Sequence, residues 1–258
     1  MFDIFVKRKK VVLDFFTAEP QVYHDGKPVK AIKTLPEWFA KTPRRWQQDN
    51  KSGNTIKKCP GLVDLYKRSI ALTYWNDVRL SIHPNGNVDV QTGHRGTLEY
   101  GGHDRGQFEL FVEGTRSRNL KLLSQWAVKS KKDIALLMTE PTWHDYRTYN
   151  SLSVVPGIIQ PKYVWVTNTN YITRPGPQTE TINFAPGDPI AMLVPLTDDE
   201  VVFRTHLVDL NEGVSLGVFL PPFGFTDDKA SDSKNAKYSF RYQKQIKDKL
   251  ARIHDEDD

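Results

Sequence analysis

From Ser151 to Leu196 the sequence reads SLSVVPGIIQPKYVWVTNTNYITRPGPQTETINFAPGDPIAMLVPL, and this stretch decides the fold class. Short runs rich in Val, Ile, Thr and Tyr are separated by turns that contain Pro and Gly, a pattern typical of short β-strands. It predicts four strands, at Ser151–Val155, Tyr163–Thr167, Glu180–Phe184 and Pro189–Pro195. Strands at this spacing favour a β-sandwich or barrel.

The same pattern continues on both sides of this stretch. Two alternating runs, at residues 80–82 and 88–90, flank the turn Pro84-Asn85-Gly86-Asn87, and Asn-Gly is a strong hairpin signal. Further strands are predicted within residues 1–16 and at Gln107–Glu113, Leu120–Val128, Asp133–Thr139 and Val201–Leu207. We therefore predict a mainly β protein, with a jelly-roll or β-clip-like sandwich.

Helical spacing is confined to short segments. A short turn is predicted between prolines within residues 35–46, and a helix starts near Pro60, which suits the first helical turn. Its apolar residues are Leu62, Val63, Tyr66 and Ile70. A last helix carries an apolar stripe near the C-terminus, formed by Tyr238, Tyr242, Ile246, Leu250 and Ile253.

We expect one structural domain built from three parts. Residues 1–50 form an N-terminal strand and arm, with residues 17–34 extended because they contain Pro20, Gly26 and Pro28. Residues 51–210 form the sandwich core, and residues 211–258 form a loop plus the C-terminal helix.

Composition excludes several classes of protein. The chain has 258 residues and a single cysteine, Cys59, so it forms no internal disulfide. A run of about twenty apolar residues, which a membrane-spanning helix needs, is missing, so we expect no membrane contact. The net charge of +5 comes from scattered basic runs. Because nucleic-acid readers concentrate their charge in a stripe, we expect no nucleic acid as a partner.

Candidate chemistry is sparse. Residues 93–106 contain five glycines and predict a long loop, whose His94, His103 and Asp104 are the candidate metal ligands. The His-x-His pair of a cupin site is missing, however, so we expect neither a metal nor another cofactor. Cys59 stands at a helix start, where a thiolate is stabilised, but a buried structural cysteine is the commoner case. We assign no catalytic residue, and the sequence favours a protein without enzymatic activity.

Large aromatic and arginine side chains mark candidate contact sites. These residue types are enriched among the energetically dominant residues of interfaces. The segment from Leu35 to Trp46 combines both types, and it either docks on a partner or pins the arm to its own domain. The candidate interface residues are Trp38, Arg44, Arg45, Trp46, Phe223, Phe225, Tyr238 and Tyr242.

Three groups of short motifs follow one another along the chain. They are Ile56-Lys57-Lys58-Cys59-Pro60-Gly61 with Trp75-Asn76-Asp77; Lys121-Leu122 with Trp126 and Glu140-Pro141; and Val155-Pro156-Gly157-Ile158-Ile159 with Tyr163 and the run from Phe184 to Pro195. Over residues 35–210 this order resembles an uncharacterised family of tailed phages, including cyanophages. The resemblance implies a virion structural protein, assembled in the host cytoplasm, whose partners are other virion proteins or copies of itself. It also leaves open a small accessory protein that binds a host target.

The third motif group has a second resemblance. Pro-Gly-Ile-Ile, then Tyr163, then Gly187-Asp188-Pro189-Ile190-Ala191 is similar to the core of dUTP pyrophosphatases and dCTP deaminases. The resemblance implies a β-clip scaffold without their chemistry, because Gln160 stands where those enzymes keep the Asp that activates water, and an amide is no general base. The sequence leaves open one further alternative, a β-sandwich enzyme that binds a metal or a nucleotide.

Overall fold

The computed structural model describes residues 9–93, 100–103, 106, 108–141, 144, 150–162, 166–209 and 212. In this part of the chain the protein is mainly β and consistent with a β-sandwich, which confirms the predicted fold class. The strands are β1 (Lys10–Thr17), β2 (Val29–Lys30), β3 (Arg45–Gln48), β4 (Lys51–Asn54), β5 (Ile70–Thr73), β6 (Val78–Ile82), β7 (Val88–Thr92), β8 (Tyr100–Gly101), β9 (Asn119–Leu122), β10 (Ala127–Lys129), β11 (Leu136–Thr139), β12 (Leu152–Val154), β13 (Gly157–Ile159), β14 (Thr169–Thr173), β15 (Glu180–Phe184), β16 (Pro189–Pro195) and β17 (Glu200–Leu207). The helices are α1 (Pro20–Asp25), α2 (Glu37–Lys41), α3 (Pro60–Arg68) and α4 (Glu109–Val112), with 3₁₀ turns at Ala31–Thr34 and Ile56–Lys58.

The described strands form five sheets. Their strand orders are β10-β1-β17, β13-β11-β16-β5-β2, β12-β14-β9-β8, β15-β6-β7 and β3-β4. Strands β1 and β17 run parallel over eight residue pairs, from Lys10 beside Glu200 to Thr17 beside Leu207. This pairing joins the two ends of the described chain.

One hydrophobic cluster is shared by four of the sheets. It includes Phe15 from β1, Leu72 from β5, Leu80 from β6 and Leu122 from β9, all with no exposed surface. Val11, Leu13 and Phe15 of β1 all lie in this cluster, because every second residue points to the same face of a strand. A smaller second cluster, which contains Phe39, Tyr66 and Met192, packs α2 and α3 on the far side of β16 and β5. The helices thus form a layer over one face of the central sheet.

Several predictions of elements are confirmed. The predicted strands Glu180–Phe184 and Pro189–Pro195 are β15 and β16. The hairpin of β6 and β7 pairs Leu80 with Val90 and Ile82 with Val88. The helix α3 begins at Pro60, although Ile70 lies in β5 and not in the helix.

The prediction of an extended arm at residues 17–34 is wrong. These residues form α1, β2 and a 3₁₀ turn, and Val22 and Ala31 are buried. The indole nitrogen Nε1 of the buried Trp126 donates a hydrogen bond of 2.9 Å to the Gly26 carbonyl oxygen. Pro20 starts a helix here because its missing N–H is unneeded in a first turn. The segment is therefore part of the packed body.

Two strand predictions near the centre of the chain also need correction. The range Gln107–Glu113 contains the helix α4, in which Leu110 and Phe111 are both exposed, so the residues do not alternate as in a strand. The range Leu120–Val128 splits into β9 and β10 at Gln125, whose φ is 58°, because β9 pairs with β14 whereas β10 pairs with β1.

Most of the strand predicted at Tyr163–Thr167 lies outside the described residues. The described strand is β14, at Thr169–Thr173, and Val166 forms only an isolated bridge with Ala127. The Pro-Gly-Ile-Ile segment, expected as a turn, is the strand β13. Predictions for Tyr163, for most of the 93–106 loop, for Leu220–Phe225 and for the C-terminal helix lie wholly or partly outside the described residues.

Candidate functional site

The hairpin of β3 and β4 stands apart from the other sheets. Within the described chain its two strands pair only with each other, and all four residues of β3 are exposed. The two-residue loop has Asp49 at φ 48° and Asn50 at φ 62°. Positive φ at both central positions is the type I′ geometry, which matches the twist of a two-residue hairpin. This hairpin presents both faces to the surroundings.

The base of the hairpin is fixed to the helix α2. The Thr55 hydroxyl donates a hydrogen bond of 2.6 Å to the Pro43 carbonyl oxygen. The Lys57 ammonium donates to the carbonyl oxygens of Ala40, at 2.8 Å, and Thr42, at 3.1 Å. Because Phe39 of α2 is buried in the second cluster, the hairpin is anchored to the body through this helix.

Trp46 forms a flat aromatic platform on the hairpin. It lies directly opposite Gly53, and a Cβ atom added at Gly53 would lie 2.7 Å from the indole Nε1. The indole therefore covers the glycine closely on one side, while 42% of the residue surface is exposed. Such a rigid, half-exposed tryptophan is the kind of residue that anchors an interface.

Exposed cations lie on both faces of the hairpin. Arg44, Arg45 and Lys51 are exposed, and in the described part of the chain none of them forms an ion pair. Strand alternation places Gln48 on the same face as Trp46, and Lys51 lies opposite Gln48, so Lys51 shares this face too. The hairpin thus combines an aromatic surface with unpaired positive charge.

A second exposed tryptophan, Trp38, lies on α2. It is 40% exposed and meets the ring of Phe39 edge to face at 5.7 Å, while Phe39 itself is 7% exposed. The helix α2 therefore buries the ring of Phe39 and exposes that of Trp38. We name Trp38, Arg44, Arg45, Trp46 and Lys51 the docking surface.

Sequence reasoning found four of these five residues. It missed the hairpin, and with it the roles of Lys51 and Gly53. The sequence signal for the hairpin was the Asp49-Asn50 pair, since Asp and Asn tolerate the left-handed region of φ better than most other residues do. The other predicted interface residues, Phe223, Phe225, Tyr238 and Tyr242, lie outside the described residues.

Only His103 of the three candidate metal ligands lies within the described residues. The backbone N–H of His103 donates a hydrogen bond of 3.0 Å to Asn119 Oδ1, whereas His94 and Asp104 lie outside the described residues. Among the residues that the structure describes, no three His, Cys, Asp or Glu side chains are grouped as a metal ion requires. The described residues thus give no ligand set for a metal.

Two residues considered for catalysis are on the surface. Cys59 is exposed, so the expectation of a buried cysteine is wrong. Gln160, at the end of β13, is exposed as well. Sequence reasoning also missed Gly213-Val214-Ser215-Leu216-Gly217, which has the G-x-S-x-G spacing of a nucleophile elbow. That motif lies outside the described residues.

An Asp-His-Thr arrangement at the β6–β7 hairpin was also missed, because Thr179 is far in sequence from His83 and Asp89. The His83 Nε2 atom lies 2.8 Å from Asp89 Oδ2, and Nδ1 lies 3.1 Å from the Thr179 hydroxyl oxygen. A hydrolytic triad also needs donors that stabilise an oxyanion, so these two contacts alone do not make a catalytic site. The contacts instead hold the hairpin to the residue that precedes β15.

Comparison of the chain with models of known protein families and with curated protein sequences finds no match to either. The longest helix of the described chain has nine residues, and none of the described helices has the length and hydropathy needed to cross a bilayer.

Proposed function

We propose that the protein is a non-enzymatic structural component of a phage virion, which joins a neighbouring subunit through the docking surface. The observation that carries the proposal is the Trp46 platform on a hairpin whose arginines have no ion-pair partner among the described residues. An unpaired hairpin is marginally stable alone, so an exposed hairpin with a large aromatic residue gains stability when a partner covers it.

The charge of the docking surface indicates the chemistry of the partner. Arginine forks bind carboxylates through two parallel hydrogen bonds, and tryptophan contributes a large apolar contact. The expected partner is thus an acidic surface with an apolar centre, on another virion protein or on a second copy of this chain. The viral origin and assembly in the host cytoplasm rest on the motif order that resembles tailed-phage proteins.

The proposal is tested by incorporation into particles. In the phage that encodes this chain, the double variant Trp46→Ala, Arg45→Glu should enter purified particles at least tenfold less than the wild type, since truncating an interface anchor costs 10-fold or more in affinity. The control is Tyr100→Ala, Arg79→Glu, which changes one exposed aromatic residue and one exposed arginine elsewhere. Its incorporation should remain within about twofold of the wild type.

Mass spectrometry of the particles measures the outcome, and thermal unfolding confirms that both variants are folded. Absence of the wild-type chain from the particles contradicts the virion role. Presence of the chain with equal incorporation of both variants contradicts the assigned surface. Absence from particles together with Trp46-dependent binding to one host protein supports the accessory-protein alternative instead.

A further inference from the structure

A groove of about 560 Å³ lies on the outer face of the sheet β12-β14-β9-β8. Alternation along β14 sends Tyr171 into the core, so its neighbours Asn170 and Ile172 point outward and line the groove. Phe108 and Phe111, at the start of α4 and within it, line it as well. Its volume is in the range of small-molecule sites, which are mostly apolar with a few polar groups.

One polar group in this groove has an unmet hydrogen bond. The side-chain oxygen Oδ1 of Asn170 is closed off from solvent and accepts no hydrogen bond from the part of the chain that the structure describes. A buried carbonyl oxygen without a donor costs free energy. The amide gains a hydrogen bond if it turns this oxygen toward a donor inside the groove. Asn170 is therefore the residue at which a ligand N–H or O–H would be recognised.

The charge of the lining selects among ligands. Among the described residues that line the groove, Arg174 alone carries a full charge, and none of them has a carboxylate. Glu140 interacts electrostatically with Arg174 but is not a lining residue. Positive charge without a lining carboxylate favours an anionic ligand over a cationic one.

We propose that this groove binds a small aromatic acid. The flat ring of the ligand packs against Phe108, Phe111 and Ile172, its N–H or O–H group donates to Asn170, and its anionic group is directed to Arg174. The site is separate from the docking surface and does not depend on the proposed function. The sequence motifs did not indicate it, because its residues come from three segments that only the fold brings together.

The probe for the test is 1-anilinonaphthalene-8-sulfonate, which carries aromatic rings, an N–H donor and a sulfonate. Its fluorescence should rise with saturable, one-to-one binding to the folded protein. N-phenyl-1-naphthylamine has the same rings and N–H group without the sulfonate. The variant Arg174→Leu should weaken binding of the sulfonate probe about fivefold or more and change binding of the neutral probe less than twofold.

A matched pair on α4 tests the location. Phe111 is 77% exposed and lines the groove, whereas its neighbour Leu110 is 88% exposed and does not. Phe111→Ala should weaken both probes at least threefold, while Leu110→Ala and Trp46→Ala leave them unchanged. Equal effects of the two α4 variants, binding that does not saturate, or loss of binding with Trp46→Ala would each overturn the assignment. Thermal unfolding of each variant shows that it is folded.

Discussion

At the residue scale, Asp14 is the most connected charged side chain of the described structure. Its carboxylate accepts hydrogen bonds from Arg204 Nε, at 2.7 Å, and Nη2, at 2.9 Å, and its Oδ1 lies 2.8 Å from His206 Nε2. Burial alone would raise the pKa of the Asp14 carboxyl. The hydrogen bonds and charges of Arg204 and His206 outweigh burial, and the pKa lies below its usual value of 3.8.

This lowered pKa predicts how stability depends on pH. Because the folded-state pKa of Asp14 is below its unfolded value, its contribution is complete above that unfolded value. The contribution is lost as the pH falls through the folded pKa. Asp14→Asn should therefore lower the free energy of unfolding by about 1–2 kcal/mol at pH 7, and by less near pH 3. Urea unfolding at both pH values measures the difference.

Asp133→Asn is the control for Asp14→Asn, because Asp133 is an exposed carboxylate with no hydrogen bond to another described side chain. It should change the free energy of unfolding by less than about 0.5 kcal/mol at either pH. A pH-independent loss in Asp14→Asn would show that packing, and not the charge of Asp14, is responsible.

At the scale of the element, the β3–β4 hairpin depends on its loop. Asn50 has φ 62°, a conformation that a β-branched residue adopts only at a cost of about 1–2 kcal/mol. An isolated hairpin has little stability to lose. Asn50→Val should therefore open residues 45–54 while the rest of the protein stays folded, and Asn50→Gly should strengthen the hairpin.

Hydrogen exchange of peptides that cover residues 45–54 measures this effect. Gln47→Val, in the exposed middle of β3, is the control, since a β-branched residue suits a strand. Loss of protection throughout the protein in Asn50→Val would contradict a hairpin that opens on its own. Protection equal to that of the wild type would contradict the loop geometry.

At the scale of the whole molecule, β1 couples the two ends of the described chain through its pairing with β17. Its neighbouring residues Phe15 and Phe16 point to opposite faces. Phe15 is fully buried and meets Trp126 and Phe203 edge to face, at 6.4 Å and 6.0 Å. Phe16 is partly exposed and stacks on His206 at 4.8 Å. The two rings therefore differ in burial because they lie on opposite faces of β1.

This pair tests whether β1 is part of the core. Phe15→Ala should lower the free energy of unfolding by about 3–5 kcal/mol, because it leaves a cavity between the sheets. Phe16→Ala should lower it by about 1 kcal/mol or less. Equilibrium urea unfolding of the two variants gives the comparison. Similar small losses in both would mean that β1 is a separable arm.

The candidate site shows what local sequence can and cannot indicate. The residue types of the docking surface, such as Trp46 and Arg45, indicate a candidate contact site from the sequence alone. Sequence left open whether the segment is pinned to its own domain or meets a partner. The structure shows the pinning through Phe39, whereas contact with a partner is a proposal. Phe39 is buried in the second cluster, while Trp38 and Trp46 are exposed. Neighbouring aromatic residues of similar type differ in burial because helix and strand geometry turn them to different sides.

By itself the sequence determined the mainly β class and those strands whose limits are set locally. Strands β15 and β16 were predicted residue for residue, since each is bounded by Pro, Gly or polar residues that stop pairing. Tertiary structure alone decided that β1 pairs with β17, that the chain changes sheets at Gln125, and that β12, β14 and α4 enclose a groove. The physical reason is that strand pairing and groove walls join residues distant in sequence, whose energies depend on packing and not on local pattern.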